Sequence, residues 1–516
     1  MKTSELRTMW RERREVALFD AREEGPYSLA HPFFAVNLPA SHVEALIYGL
    51  VPRRNTPVVV YDDGEGLAEE TASRLERLGY TDVSVLEGGL QAYAREGEIF
   101  RDVNVPSKAF GELVESIRHT PSLSAREVKE LIDQRADMVV LDVRRFEEYR
   151  SMSIPSAISV PGAEIALRVR EIAPSPETLV VVNCAGRTRS IIGTQTLVNA
   201  GIPNRVAALR NGTIGWTLEG YPLDSSQQRR FNDAAGHREA ARVSAAACAA
   251  TTGVAVIDRA TLADWLLQTN QRTLYRFDVR TPEEYEAGHP AGFVSAPGGQ
   301  LVQATDEWVA VRGARIVLFD DDGVRACMTG SWLAQMGWET AVLENTIDLP
   351  IEIGNPAPPR PATPGHADIN PDDLAGTGFL IVDLAPSPVY ERGHIPGAWF
   401  LIRSRFRDDA AKLPPDGTLV LTSPDGVLAL HAAAELEQIA GRPVRVLAGG
   451  TNAWIAAGKP LSNNDHRWAS PRIDIYKRPY EGTDNGPEAM RNYIAWELQL
   501  VAQLANDGIS NFRVAR

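Results

Sequence analysis

Short apolar runs that end abruptly at a polar residue recur along this chain. The clearest run, Leu-Val-Val-Val at 179–182, is followed by Asn183 and Cys184. Runs at 58–61, 316–319 and 419–421 end in the same way. Uninterrupted β-branched runs of this length are typical of parallel strands that are buried on both faces. Amphipathic helical patterns separate the runs, so the sequence predicts an α/β chain with parallel sheets flanked by helices.

A second landmark shows that this pattern occurs four times. An earlier apolar run of each repeat ends at an aspartate, namely Asp20, Asp142, Asp278 and Asp383. Cys184 follows Asp142 by 42 residues, the spacing that also separates Asp62 from Asp20. We therefore predict four tandem domains and a tail. They cover residues 1–118, 119–236, 237–352 (which includes most of a connecting helix over about 231–252), 353–463 (with a proline-rich linker at its start) and 464–516 (with a helix over about 487–506).

Composition and charge narrow the function classes. The 516 residues are 44% apolar and 23% charged, as in ordinary soluble globular proteins. The net charge of −14 argues against a nucleic-acid partner, and no apolar run is long enough to span a membrane. Three cysteines are too few for a disulfide framework, and no Cys/His spacing fits zinc. We expect a cytoplasmic protein with no metal and no cofactor, in which Cys248 and Cys327 are bystanders.

The candidate chemistry lies in the loop that follows the clearest strand. This cysteine loop consists of Cys184, Ala185, Gly186, Arg187, Thr188, Arg189 and Ser190, and a helical pattern begins at its end. Backbone N–H groups at a helix N-terminus stabilise negative charge, and two guanidinium groups add to that effect. We therefore predict that the pKa of the Cys184 thiol is lowered and that Cys184 is the catalytic nucleophile. Gly186 supplies the backbone freedom that such a loop requires.

Several short motifs together resemble those of the rhodanese sulfurtransferases. They are Asp-Val-Arg at 142–144 and 278–280, Glu-Tyr at 148–149 and 284–285, Gly-His-Ile-Pro-Gly-Ala at 393–398, and Cys-x-Gly-Arg-x-Arg at 184–189. The resemblance implies a compact α/β fold in each of four rhodanese-like repeats, with the loop at the carboxyl ends of the strands. It also implies a cysteine that carries sulfane sulfur as a persulfide. Only Cys184 matches that cysteine, and the other repeats are expected to be silent because they carry Asp62, Asp320 or Asp321, and Ser423.

The resemblance also suggests roles for charged residues near the loop. Arg187 is expected to contact the sulfur donor, because a guanidinium suits sulfonate-like oxygens. Arg189 is equally suited to bracing the loop and to binding the donor. Asp142 and Arg144 are expected to form a supporting ion pair. Arg210 is a candidate for donor binding, because this repeat alone carries a basic residue there.

Three functional hypotheses follow. The leading one is a sulfurtransferase that takes sulfur from a small anionic donor, such as thiosulfate or a persulfide, and gives it to a thiol or to cyanide. The sequence does not decide which donor is used, because Ala185 stands where several thiosulfate-using members of the family carry arginine. A cysteine phosphatase is less favoured, because the six-residue span from Cys184 to Arg189 has the length associated with sulfur. A third hypothesis is a regulatory or scaffolding protein, and an acceptor protein and a homodimer also stay open.

Overall fold

The computed structural model describes residues 1–232, 236–345, 349–375, 378–482 and 484–515. Four α/β domains follow one another, and each is built on a parallel sheet with helices packed against it. The predicted fold class is therefore confirmed. Within the described ranges, no helix combines the length and the apolar character needed to cross a membrane.

The first domain has a four-stranded sheet and a small antiparallel pair. Its strands are β1 (Ala17–Asp20), β2 (His31–Pro32), β3 (Ala35–Asn37), β4 (Val58–Tyr61), β5 (Val83–Val85) and β6 (Ile99–Phe100). Its helices are α1 (Thr3–Arg11), α2 (Glu24–Leu29), α3 (Val43–Leu50), α4 (Leu67–Arg77), α5 (Gly89–Tyr93) and α6 (Val105–Arg118). The parallel sheet has the order β3-β1-β4-β5, and β2 pairs with β6. Helix α6 runs from this domain to the second one, which it contacts closely.

The second domain carries the cysteine loop. Its strands are β7 (Ser122–Leu123), β8 (Met138–Asp142), β9 (Ile158–Ser159), β10 (Leu179–Asn183) and β11 (Val206–Leu209), in the order β7-β11-β10-β8-β9. Its helices are α7 (Ala125–Asp133), α8 (Phe146–Ser151), α9 (Ile165–Ile172), α10 (Thr188–Asn199) and α11 (Gly212–Leu218). The register of β8 and β10 places Asn183 opposite Asp142. The strand ends therefore bring Asp142 to the edge of the sheet where Cys184 follows.

The third domain follows a connecting helix, α12 (Arg238–Thr252). This helix begins later than the predicted residue 231, and residues 233–235 of the predicted stretch lie outside the described ones. The strands are β12 (Ala255–Ile257), β13 (Leu274–Asp278), β14 (His289–Pro290), β15 (Val294–Ser295), β16 (Arg315–Phe319), β17 (Glu339–Leu343) and β18 (Ile351–Glu352). The helices are α13 (Arg259–Leu267), α14 (Pro282–Ala287), α15 (Gly298–Gln303) and α16 (Arg325–Gln335), with a 3₁₀ turn at Thr305–Glu307. The parallel sheet has the order β12-β17-β16-β13-β15.

The fourth domain follows the proline-rich linker, which has no helix or strand over 353–367. Its strands are β19 (Asp368–Ile369), β20 (Phe379–Asp383), β21 (Trp399–Phe400), β22 (Thr418–Thr422), β23 (Val444–Leu447) and β24 (Arg467–Trp468). Its helices are α17 (Ser387–Arg392), α18 (Phe406–Asp409), α19 (Val427–Ala440) and α20 (Gly450–Ala456), with 3₁₀ turns at Asp373–Ala375, Arg403–Arg405 and Ala410–Lys412. The sheet order is β19-β23-β22-β20-β21-β24. Strand β24 lies beyond residue 463, so this sheet takes a strand from the segment that the sequence assigned to the tail.

The rest of the tail contains two helices where the sequence predicted one. They are α21 (Pro487–Glu497) and α22 (Leu500–Asp507). Both bury apolar residues at helical spacing, which is why the pattern resembles a single helix. Trp496, Leu500 and Leu504 join the hydrophobic core of the first domain, and Asp507 pairs with Arg7 at 2.7 Å. The tail therefore packs on a repeat of its own chain.

Buried ion pairs hold the domains together. Glu44 of the first domain accepts from Arg403 of the fourth at 2.8 Å, and Glu164 of the second accepts from Arg325 of the third at 2.8 Å. A continuous hydrophobic cluster also contains residues of the first three domains. These contacts join the first domain to the fourth and the second domain to the third, and the shared cluster packs the first three domains together.

Candidate functional site

Cys184 stands between the end of β10 and the beginning of α10, as the sequence predicts. Its S–H donates to Ser190 Oγ at 3.4 Å, and the Ser190 hydroxyl donates to the Arg187 carbonyl at 2.9 Å. The backbone N–H of Ser190 also faces the sulfur. Strand, loop and first helical turn thus hold the sulfur at a helix N-terminus, where a negative charge is stabilised.

A similar construction recurs in all four domains. The backbone N–H six residues after the cysteine position, at the start of the helix, faces the side chain at that position, and in three domains it donates a hydrogen bond to it. In the other three domains the pairs are Asp62 with Ala68 (2.9 Å), Asp320 with Ala326 (2.9 Å) and Ser423 with Ala429 (3.3 Å). This contact identifies Asp320, and not Asp321, as the counterpart of Cys184. The first, third and fourth domains, called the silent domains below, therefore direct the same N–H group at an oxygen atom.

Close packing against α11 fixes the start of the cysteine loop. The Cys184 carbonyl accepts from the Thr213 N–H at 2.9 Å, and the Ala185 carbonyl accepts from the Ile214 N–H at 3.0 Å. Gly212 has a φ of +54°, and a Cβ there would lie 2.2 Å from the Cys184 carbonyl oxygen. Only glycine at position 212 lets the start of α11 come this close to the Cys184 carbonyl, so the loop and α11 are held as one unit.

Burial changes the electrostatics that the sequence predicts for Cys184. The residue is only 1% exposed and belongs to the apolar core around Val143 and Val182. Desolvation raises the pKa of its thiol above the ordinary value, although Arg189 and the Ser190 hydrogen bonds act in the opposite direction. The prediction of a lowered thiol pKa is therefore wrong for this structure, in which the side chain of Cys184 is covered.

Arg187 points to the first domain, and its charge is already matched there. Its guanidinium donates to both carboxylate oxygens of Glu112 at 2.7 and 2.8 Å, and it also pairs with Glu115. A further bond reaches Asn211 Oδ1 at 3.1 Å. These partners bury Arg187. The structure therefore favours a role in which Arg187 braces the contact between the loop and α6, and not one in which it binds a sulfur donor.

Arg189 is held in a similar way within its own domain. It donates to both oxygens of Glu148 at 2.8 and 2.9 Å, and the ion pair lowers the pKa of that carboxyl. Arg325 and Glu284 repeat this pair in the third domain at 2.6 Å. Because the pair recurs beside a silent loop, bracing of the loop is the role that the structure favours.

Asp142 and Arg144 form the supporting ion pair that the sequence predicts. Arg144 donates to Asp142 through Nε and one terminal nitrogen at 2.9 and 2.8 Å, and it also donates to the Met152 carbonyl. Asn183 donates to the same carboxylate at 2.9 Å. Both charged groups are fully buried, and similar pairs occur in the first and third domains at Asp20–Arg22 and Asp278–Arg280. They tie the ends of β8 and β10 together below the cysteine loop.

Other predicted residues lie at the margins of the site. Arg210 is exposed and donates to Ser122 Oγ on the edge strand β7, so it is not brought to the sulfur. Thr188 packs against α6, where a Cβ on Gly111 would lie 2.9 Å from its methyl group. Cys248 bonds the Asn199 carbonyl, and Cys327 lies within α16. In the described part of the chain, no cluster of His, Cys, Asp and Glu side chains could hold a metal ion.

The sequence interpretation missed the groups that cover the loop. They are Glu112 of α6, and Tyr493 and Glu497 of α21. A Cβ on Gly186 would lie 3.2 Å from the Tyr493 ring and 3.5 Å from Glu497 Oε2. These residues come from another domain and from the tail, so no local motif connects them with Cys184.

Comparison with known proteins agrees with this construction. The family model of the rhodanese-like domain matches residues 3–96, 124–219, 262–348 and 369–457. The crystal structure of a thiosulfate sulfurtransferase from Pseudomonas aeruginosa is 54% identical, with a TM-score of 0.98, and the match covers 100% of this chain and 99% of that one.

Two curated relatives match only a part of this chain. The putative sulfur carrier protein YrkF of Bacillus subtilis is 28% identical over 122 residues, which are 24% of this chain and 63% of the relative. A sulfurtransferase of Allochromatium vinosum is 32% identical over 87 residues, which are 17% of this chain and 78% of the relative. The chain thus spans less than two thirds of YrkF.

Proposed function

We propose that this chain, which belongs to the family of rhodanese-like domain proteins, is a sulfurtransferase that carries sulfane sulfur on Cys184. One observation carries the proposal. In each of the four loops an N–H group at the start of a helix faces the side chain at the same position, and of these four side chains only Cys184 places sulfur there. Oxygen side chains such as Asp62 and Ser423 cannot hold a transferable sulfur atom.

The reaction consists of two displacements at sulfur. The Cys184 thiolate attacks the outer sulfur of a donor such as thiosulfate, the donor S–S bond breaks, and sulfite leaves with the electron pair. The persulfide then bears a negative charge on its outer sulfur. An acceptor, either a thiol or cyanide, attacks that sulfur and releases the Cys184 thiolate. The Ser190 N–H and the dipole of α10 stabilise the anions before and after each transfer.

Arg187 and Arg189 support this chemistry, although the positive charge of each is already paired with a carboxylate. Arg187 and Arg189 are each paired in two hydrogen bonds with a carboxylate, Glu112 and Glu148 respectively. We therefore assign them to holding the loop, and the small anionic donor is met mainly by backbone N–H groups. A cytoplasmic location, an acceptor protein and a homodimer stay predictions.

The silent domains are proposed to shape the site. The first domain contributes Glu112, which bonds Arg187 of the cysteine loop, and the third domain contributes Arg325, which bonds Glu164 of the second. The first domain also anchors the tail over the loop. This arrangement accounts for a chain with one reactive sulfur and three further copies of the fold.

A donor series tests the reaction class. We expect Cys184 to become loaded by sulfane donors, with thiosulfate, 3-mercaptopyruvate and glutathione persulfide compared at equal concentration. An aryl phosphate should not be hydrolysed, because the loop is short and its guanidinium groups are already occupied. Loading is measured as cyanide-dependent formation of thiocyanate. Hydrolysis of the aryl phosphate is measured as release of the phenol. Steady phosphate release without any loading would favour the phosphatase hypothesis instead.

A further inference from the structure

Glu497 is a buried carboxyl group to which the two displacement steps described above assign no role. It lies at the end of α21, and its side chain is fully buried. The Tyr493 hydroxyl donates to Oε1 at 2.8 Å, whereas Oε2 is buried without a hydrogen-bond partner among the described residues. That free oxygen lies against Gly186 of the cysteine loop, since a Cβ there would be 3.5 Å away.

The charged groups around Glu497 keep it protonated. Lys108 and Glu112 face it from α6, Arg187 faces it from the loop, and Tyr493 faces it from its own helix. Both cations have closer carboxylate partners, because Lys108 pairs with Asp102 at 2.5 Å and Arg187 with Glu112 at 2.7 Å. Burial and the Glu112 charge therefore raise the pKa of Glu497 to about 8.

The same carboxyl is coupled to the reacting sulfur. A charge on Glu497 raises the pKa of the Cys184 thiol, so the two groups share one desolvated environment. A buried carboxylic acid with an unpartnered oxygen can donate a proton at neutral pH. We infer that Glu497 is the proton donor to the transferred sulfur when a thiol acceptor attacks the Cys184 persulfide, a step that rests on the proposed function.

The proton has a destination only when the acceptor is a thiol. The transferred sulfur then becomes the terminal sulfur of a hydropersulfide, which carries the proton as S–H. As the acceptor sulfur bonds to the outer sulfur, the bond from that sulfur to Cys184 Sγ breaks and its electron pair stays on Sγ. The proton moves from Glu497 Oε2 to the transferred sulfur. The products are the acceptor hydropersulfide, the Cys184 thiolate and the Glu497 carboxylate, which takes a new proton from water.

Cyanide provides an internal comparison. Its product, thiocyanate, is the anion of a strong acid and forms without protonation. Loading by thiosulfate likewise needs no proton, because sulfite leaves as an anion. Only discharge to a thiol should therefore depend on Glu497.

The experiment measures three half-reactions in the full-length protein, as wild type and as Glu497→Gln. They are loading of Cys184 by thiosulfate, discharge to glutathione and discharge to cyanide. We expect Glu497→Gln to slow discharge to glutathione by about 100-fold or more, which is typical of a lost general acid. Loading and discharge to cyanide should be unchanged. In the wild type, the rate constant for discharge, expressed per glutathione thiolate, should fall as pH rises through about 8, where Glu497 loses its proton, and this fall should be absent in the variant.

Glu488→Gln is the matched control, because Glu488 is exposed on the same helix. It should leave all three half-reactions unchanged. The inference is overturned if Glu497→Gln slows all three equally, which indicates a structural role, or if it matches Glu488→Gln in every one. A wild-type protein that never loads Cys184 removes the proposed function and this inference together.

Discussion

Replacing Cys184 by serine is expected to abolish sulfur transfer, with turnover reduced by about 10³-fold or more. The substitution keeps a small side chain at the helix N-terminus but removes the atom that forms the S–S bond. The fourth domain already shows this state, because Ser423 Oγ accepts the Ala429 N–H there. The measurement is thiocyanate formation from cyanide and a sulfane donor, at saturating concentrations of both.

Two other thiols supply the control for this substitution. Cys248 and Cys327 remain in the variant, and both have a raised thiol pKa because they are buried. Cys248→Ser should retain full activity. Substantial transfer by Cys184→Ser, lost only when Cys248 is also replaced, would mean that the reacting sulfur has been assigned to the wrong domain.

Replacing Arg144 by methionine is expected to destabilise the second domain by about 3–5 kcal/mol, the usual cost of leaving one partner of a buried ion pair. Asp142 is fully buried and would keep only the bonds from Asn183 and from the backbone N–H at position 144. Its carboxylate would then be an uncompensated charge between β8 and β10. Hydrogen exchange of the amides in these two strands measures the loss of stability directly, without the assumption that all four domains unfold together.

Arg210→Met is the matched substitution, because it removes the same charge at an exposed position. It should change exchange in β8 and β10 by no more than about 0.5 kcal/mol. It should also leave sulfur transfer intact, since Arg210 bonds Ser122 at the outer edge of the sheet. Equal effects of the two substitutions would contradict the bracing role of the Asp142–Arg144 pair.

The local features of the site were predictable from the sequence. An apolar run followed by a cysteine and a helical pattern specifies the end of β10, the loop and the start of α10, and Asp142 with Arg144 falls at the neighbouring strand end. These contacts join residues close in sequence or in adjacent parallel strands. The pattern at 184–190 therefore carries most of the information about the loop itself.

The surroundings of the loop were not predictable in the same way. Glu112 reaches Arg187 across 75 residues of sequence, and Glu497 comes from a helix that no repeat contains. The direction of the Cys184 pKa shift depends on these covering groups, because burial outweighs the nearby positive charge. A pattern of apolar and polar positions shows that the tail is amphipathic, but it does not show which surface the tail covers.

The central claim is that Cys184 carries the sulfur, and the mass of the protein after exposure to a sulfane donor tests it most directly. After thiosulfate is removed, the intact protein should be heavier by one sulfur atom, and peptide mapping should place that atom on Cys184. Addition of cyanide should return the original mass. A protein that turns over while its mass stays unchanged, or whose added sulfur maps to Cys248 or Cys327, would contradict the account.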